Sequence, residues 1–325
     1  MAYKIGIDIG GTKCAVILCD TDKTEKSEIR IIKKIIFETA KETPYSMLEL
    51  FSKTIQEYIN IYSITQDRLA GIGISCGGPL DSKRGIILSP PNLPGWDEIR
   101  INDYLHRQFN VPVILENDAN ASAIAEWKYG AGKGYKNIVF LTFGTGMGAG
   151  LILNGQLYSG ANDHAGEIGH VRMSKDGPVG YGKAGSFEGF CSGGGIKQLA
   201  QEIIKSKYEG AYASFCKNKE GRCDLSAKTI AEAATAGNET AKEIYAISGR
   251  YLGKGLSMII DFINPEIIII GSIFSRSRDL LWPYAKEVIK EEALPDSASI
   301  CKIVPAALGD KLGDYASVSL LEGIE

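Results

Sequence analysis

The sequence predicts a two-domain α/β protein with a cleft between the domains, on three observations. Two strand–glycine turn–strand units, centred on Gly10-Gly11-Thr12-Lys13 and on Gly144-Thr145-Gly146-Met147-Gly148, lie about 135 residues apart. Between them an apolar run, Val111-Pro112-Val113-Ile114-Leu115, reads as a buried strand that stops at Glu116-Asn117-Asp118 and gives way to a helix over 119–129. A carboxylate and a carboxamide thus sit where a strand ends and a helix begins, the edge at which open α/β sheets bind ligands. The length of 325 residues accommodates two domains of ordinary size.

In chain order, 5–8 and 14–18 are short strands joined by the first glycine turn, and 29–37 is a third strand. Apolar residues at 47, 48, 51, 55, 58, 59 and 62 predict a helix. Residues 69–74 form a strand ending in Gly77-Gly78-Pro79, and Ser89-Pro90-Pro91-Asn92-Leu93-Pro94-Gly95-Trp96 is an irregular loop. Asn102 is placed to cap a short helix to Phe109. Strands at 138–142 and 149–153 flank the second glycine turn, and Asn154-Gly155 is a hairpin signal. The glycine-rich stretch 159–195 is mostly irregular and too long for idle connection. Helices near 196–207, 227–236 and 239–263 follow. A buried strand at 267–270, a helix near 278–292, a strand near 300–304 and a helix near 314–321 complete the chain.

Composition excludes some roles. A hydrophobic fraction of 44% is that of a globular protein. The net charge of −3, with no basic run, speaks against nucleic acid or an anionic membrane as partner. No apolar stretch approaches the ~20 residues of a spanning helix, and Met1-Ala2-Tyr3-Lys4 runs straight into a strand, so neither a signal peptide nor a membrane segment is expected. Seven cysteines (14, 19, 76, 191, 216, 223, 301), without a CxxC pair, point to a reduced, cytoplasmic protein.

Both glycine turns allow backbone N–H groups to converge on a phosphate. Neither is a P-loop or a dinucleotide fingerprint, because a strand rather than a helix follows each. Asp8 either initiates its turn or holds the water shell of Mg²⁺. Asn117 and Asp118 either cap the following helix or face a ligand.

Taken together, Asp8-Ile9-Gly10-Gly11-Thr12-Lys13, Glu116-Asn117-Asp118-Ala119-Asn120-Ala121, Gly144 to Gly150 and Gly166-Glu167-Ile168-Gly169-His170 resemble the ROK family (repressors, open reading frames, sugar kinases) over almost the whole chain. The resemblance implies an α/β, actin-like, ribonuclease H-like ATPase fold in which ATP and a sugar meet in an interdomain cleft. Its N-terminal domain would span 1–117, completed by the C-terminal helix near 314–321, and the larger domain 118–313. Carried over residue by residue, Asp118 is the general base that takes the proton of a sugar hydroxyl as it attacks the γ-phosphorus. Asn117, Glu167, His170 and Glu188 hydrogen-bond the other hydroxyls, Asn92 is a further sugar contact, and Gly78 approaches the sugar by its backbone. Asp8, Gly10, Gly11, Thr12 and Lys13, with Gly144, Thr145 and Gly146, hold the phosphates of Mg-ATP, and Gly193-Gly194 and Gly271-Ser272 flank the nucleotide. A homodimer is also implied. The chemistry is coherent: a hydroxyl needs a positioned base, worth roughly 10²–10⁴-fold, and the rest of phosphoryl transfer is positioning and charge neutralisation.

One departure stands out. In the family the Glu-x-Gly-His histidine joins three cysteines of a CxCGxxGC motif around structural zinc. Here Val179, Tyr181 and Ser186 stand at those positions, and Cys191 is the only cysteine nearby. The expectation is therefore no structural zinc, with Val179 and Tyr181 packing the loop through hydrophobic contacts instead. The expected activity is ATP-dependent phosphorylation of a hexose, glucose first and at its 6-OH. N-acetylmannosamine, N-acetylglucosamine and fructose remain as alternatives. A sugar-responsive repressor is disfavoured by the seven residues that precede Asp8 and by the negative charge, and a non-catalytic sugar binder by the retention of Asp118 and both turns.

Overall fold

The computed structural model describes residues 2–20, 29–207 and 225–322, so Cys216 and Cys223 lie outside the described residues. Apolar runs at the N-terminus form β1 (Tyr3–Ile9) and β2 (Lys13–Asp20), an antiparallel hairpin, with β3 (Arg30–Glu38) antiparallel to β2. α1 (Pro44–Ile61), capped by the Thr43 hydroxyl accepting from Ser46 N–H, leads to β4 (Leu69–Cys76), parallel to β1. The small hairpin of β5 (Leu80–Asp81) and β6 (Ile86–Ile87), an irregular loop and α2 (Ile101–Phe109) follow. β7 (Val113–Asn117) then lies parallel to β4 and runs directly into α3 (Asp118–Tyr129).

The second half repeats this plan. β8 (Ile138–Leu141), β9 (Ala149–Leu153) and β10 (Gln156–Leu157) form an antiparallel meander. The hairpin of β11 (Val179–Gly180) and β12 (Lys183–Ala184) precedes α4 (Phe187–Phe190), α5 (Gly193–Lys207), α6 (Ala227–Thr235) and α7 (Glu239–Ile263). β13 (Ile267–Ile270), α8 (Ile273–Glu292), α9 (Pro295–Ile300), β14 (Lys302–Pro305) and α10 (Leu312–Ser319) end the chain. The strand orders are β3-β2-β1-β4-β7 and β10-β9-β8-β13-β14: in both, an antiparallel meander joins two parallel strands. β13 is four consecutive buried isoleucines, as a strand covered on both faces requires.

Each sheet has its own core. Met47, Phe51, Ile55 and Tyr58 of α1 pack over Ile5, Ile7, Ile72 and Ile74. Phe187, Ile196 and Leu256 pack over Leu141 and Ile270. α3 joins the two sheets, and its alanines let both approach: Ala121 and Ala125 meet Ala316 and Val318 of α10, while Ala123 meets Phe140 and Ile152. α10 itself packs on β1, β4 and α3, and Glu322 beyond it pairs with Lys4 at 2.8 Å.

Several expected boundaries shift for identifiable reasons. Asn102 does not cap α2. Arg100 stands at the cap, and the Asn102 amide donates instead to the Val113 carbonyl at 3.0 Å. β7 starts at Val113, not Val111, and continues through Asn117 because Ser75 and Cys76 of β4 pair with Glu116 and Asn117. α8 starts at Ile273, five residues early, with a kink at Ser277 that interrupts the apolar pattern. Ile300 ends a helix, α9, rather than opening a strand. Within 159–195 the chain also folds a hairpin and a short helix.

Candidate active site

The corner between β7 and α3 is built from within. Glu116 is buried, and its Oε1 accepts from Asn117 N–H at 2.8 Å and from the Asn120 amide at 3.0 Å. Burial pushes the Glu116 carboxyl up, against the pull of those two donors. Asn117 Oδ1 accepts from Ala119 N–H at 2.9 Å, so Asn117 is the helix cap. Asp118 is the first helical residue. Protein surrounds it on most sides while its side chain stays open to solvent, as on the floor of a deep groove. That crowding pushes its carboxyl up, opposed by the Ala119 and Asp118 amides.

Facing this corner is the loop 89–96. Leu93 and Trp96 are buried and nail it down, and Ser89 N–H bonds the Trp96 carbonyl at 3.0 Å. Asn92 thus lies beside Gly77, and its carbonyl is 2.6 Å from where a Gly11 side chain would start. Gly78 in turn lies against the Asn117 amide. Gly11, Asn92, Gly78 and Asn117 form one wall.

The first turn is tied by Gly10 N–H to the Lys13 carbonyl at 3.0 Å and held by Thr39, whose hydroxyl donates to Gly10 O at 2.7 Å and whose N–H bonds Thr12 O. The amides of Gly11 and Thr12 have no partner among the described residues, and Thr12 and Lys13 are exposed. The second turn is tied by Gly144 N–H to Gly146 O at 3.1 Å and by Gly148 N–H to the Thr142 hydroxyl at 2.8 Å. It likewise leaves two consecutive amides, Thr145 and Gly146, without a partner among the described residues. Gly193 N–H bonds the Gly144 carbonyl, a side chain on Gly144 would start 3.5 Å from the Ser272 hydroxyl, and Gly194 stands by Thr145. Gly271 precedes Ser272 where β13 ends, and Arg276 donates to Ser272.

The segment 166–170 lies flat on the second hairpin. A Cβ on Gly166 (φ +90) would overlap the Ala149 carbonyl, and one on Gly169 the Met147 carbonyl, which is why glycine occupies both positions. Glu167 and His170 are exposed. Glu188 is turned to the glycine turn itself: its Oε2 accepts from Met147 N–H at 3.0 Å. The structure therefore gathers two sets: Gly11, Gly78, Asn92 and Asn117 beside Asp118, and Gly144 to Gly146 with Gly193, Gly194, Ser272 and Glu188. Glu167 and His170 make no side-chain hydrogen bond to either set among the described residues. The supports Glu116, Thr39 and Gly313 escaped sequence reasoning, although a glutamate closing a strand four residues before an asparagine was a usable signal for the first.

Asp8 lies beside the first turn against Gly313 at the start of α10. Burial, then the charges of Asp118 and Asp314, push its carboxyl up to about 6, partly offset by Lys34, which pairs with Asp314. This raised value sets a pH dependence. A raised acid contributes stability below its unfolded value of 3.8, and that contribution is lost as pH rises through about 6. Asp8→Asn is therefore expected to melt above the wild type at pH 8, with the gain vanishing towards pH 4. Differential scanning fluorimetry without nucleotide at both pH values measures it.

At the positions of the zinc motif, Val179, Tyr181 and Ser186 supply neither thiolate nor imidazole. Among the described residues no three His, Cys, Asp or Glu side chains gather to hold an ion. Cys191 is buried, with its Sγ towards the Ser248 carbonyl at 3.5 Å. The expected hydrophobic packing of Val179 and Tyr181 is not what holds the loop either: the two are 47% and 69% exposed.

The profile described as ROK family matches residues 4–322. The glucokinase of Halalkalibacterium halodurans is 31% identical over 314 residues, 96% of this chain and 92% of that protein. The xylose repressor of Caldicellulosiruptor bescii is 27% identical over 313 residues, 94% of this chain and 75% of the repressor. A solved structure, the ROK family glucokinase from Streptomyces griseus in complex with glucose and AMPPNP, matches with a TM-score of 0.75 at 29% identity, covering 98% of this chain and 99% of that one. The two repeated sheets are those of the actin-like ATPase fold that such kinases share.

Proposed function

The chain belongs to the ROK family, and from that premise we propose that it is an ATP-dependent hexose kinase, with glucose as first substrate and the 6-OH as acceptor. The observation that carries the reading is Asp118: a carboxylate at a helix start, open to solvent, whose charge reaches Asp8 beside the first glycine turn and whose helix lies against Gly148 of the second, each turn leaving two backbone amides without a partner among the described residues. In this reading the sugar lies against Gly78, Asn92 and Asn117, with Glu167, His170 and Glu188 closing on its other hydroxyls. The phosphates of ATP rest on Gly11 and Thr12 and on Thr145 and Gly146. Asp118 accepts the hydroxyl proton as the sugar oxygen attacks the γ-phosphorus and the bond to ADP breaks, then returns the proton to solvent. Mg²⁺, held through ATP with Asp8 nearby, supplies neutralisation of the phosphate charge.

The similarity to a xylose repressor supports a second reading, a sugar-responsive regulator that binds without turnover. Division into domains at 117/118, with α10 completing the first, and assembly as a homodimer are proposed on the family's account, the latter open to light scattering after gel filtration. Among the described residues no helix is long and apolar enough to cross a membrane. A coupled ADP-release assay with Mg-ATP over hexoses and N-acetylhexosamines decides between the readings. Turnover of glucose supports the kinase. A sugar that raises the melting temperature without releasing ADP supports the regulator.

A further inference from the structure

The stretch aligned with the family's metal motif is not slack. Tyr181 (φ 45) and Gly182 (φ 74) are both left-handed and turn β11 into β12 as a two-residue hairpin. Gln198 of α5 clamps its first strand: Oε1 accepts from Val179 N–H at 2.8 Å and Nε2 donates to the Val179 carbonyl at 2.9 Å. The carboxamide thus does what a neighbouring strand would do for that residue. At the other strand, Lys183 Nζ donates to the His170 carbonyl at 2.8 Å, and Arg172 Nη1 donates to the Ala184 carbonyl at 2.7 Å. Ser186, fully buried, accepts from Gly189 N–H at 3.0 Å and directs its own proton to the Gly180 carbonyl at 3.3 Å, joining the hairpin to the helix of Glu188. His170 also sets its ring edge-on to Tyr181, centroids 6.1 Å apart.

These bonds link three pieces: the turn carrying Glu167 and His170, the helix carrying Glu188, and α5, whose first residues are Gly193 and Gly194. We propose that this hydrogen-bonded hairpin replaces a structural metal, and that Lys183 and Gln198 are positioning residues that fix the His170 turn and the Glu188 helix for the acceptor sugar. The proposal rests on the kinase reading for its kinetic consequence, but its structural content stands apart from it. A metal tie needs deprotonated donors and fails to chelators. A clamp of amide and ammonium donors to backbone carbonyls does not.

The experiment combines metal analysis, hydrogen exchange and kinetics on the full chain, purified without a metal-binding tag. Zinc should be substoichiometric by mass spectrometry, and a zinc-selective chelator in excess Mg²⁺ should leave the melting temperature unchanged. Lys183→Ala and Gln198→Ala should raise the KM for the sugar roughly three- to tenfold, the range for losing a partly exposed hydrogen bond, with little change in the KM for ATP. Lys183→Arg, which keeps a donor within reach, should recover most of the loss. Faster amide exchange over 166–171 should accompany both alanine variants. One zinc per chain, a chelator-lowered melting temperature, or unchanged exchange over 166–171 overturns the proposal. So does an unchanged sugar KM in an active enzyme. If the wild type turns over no sugar, the kinase reading fails, while metal content and exchange still decide the hairpin's role.

Discussion

Asp118→Asn is expected to lower kcat by about 10²–10⁴-fold, the usual worth of a positioned general base, while the protein stays folded. Asparagine keeps the shape and the ability to bond a hydroxyl, so the KM for the sugar should move far less than kcat. Stability should not suffer. The wild-type carboxyl is pushed up by the protein crowded around it, which means the fold works against its charge, and a neutral amide removes that opposition. The melting temperature of the variant should equal or exceed that of the wild type at neutral pH. A pH profile adds a second readout. Wild-type kcat/KM should rise with pH as Asp118 loses its proton, whereas the residual rate of the variant should lack that limb. The charge of Asp118 also helps hold Asp8 up, so the variant should lower the Asp8 value, visible by carboxyl NMR. A variant with near-wild-type kcat would remove Asp118 from the role of base and leave the site a binding groove.

What was legible in the sequence follows the range of the forces involved. The two hairpins and their glycine turns are local, so alternation and glycine placement reveal them, and β9 is found at its expected limits. β13 is legible because four isoleucines between turn residues leave little choice. Errors arise where a distant partner decides. Asn102 has the composition of a cap, but a tertiary acceptor, the Val113 carbonyl, takes its amide. β7 outruns its apolar run because β4 supplies ladder partners for Glu116 and Asn117. At the site, Asn117-Asp118 is visible as a motif, yet only the geometry divides the pair: Asn117 Oδ1 caps the helix by accepting from Ala119 N–H, while the Asp118 side chain stays open to solvent. The bond from Met147 to Glu188 and the clamp of Gln198 on Val179 are likewise invisible, since each joins residues whose proximity is set by packing.

The second large effect concerns how the chain closes on itself. Gly6 of β1 and Gly73 of β4 are register partners, and together they open a gap on one face of the first sheet. α10 seats there: a Cβ on Gly73 would overlap the Ser317 backbone carbonyl, and a Cβ on Gly6 would overlap the Ser317 hydroxyl and lie 2.7 Å from a Val318 methyl. Gly73→Ala is expected to destabilise by about 1–3 kcal/mol through overpacking. The same change lowers unfolded-state entropy, a gain of only about 0.4–1 kcal/mol, so overpacking decides the sign. Because a backbone carbonyl cannot rotate away, α10 must retreat and carry Gly313 from Asp8, and the KM for ATP should rise as the melting temperature falls. Gly6→Ala offers the contrast, since its clash is with side-chain atoms. Ser317→Gly should recover much of the loss in Gly6→Ala and little of it in Gly73→Ala, a difference that a double-mutant cycle by urea unfolding resolves. Equal recovery in both backgrounds would mean that the helix rides on side-chain contacts alone. No recovery in either would mean that the gap between the two glycines is not what seats it.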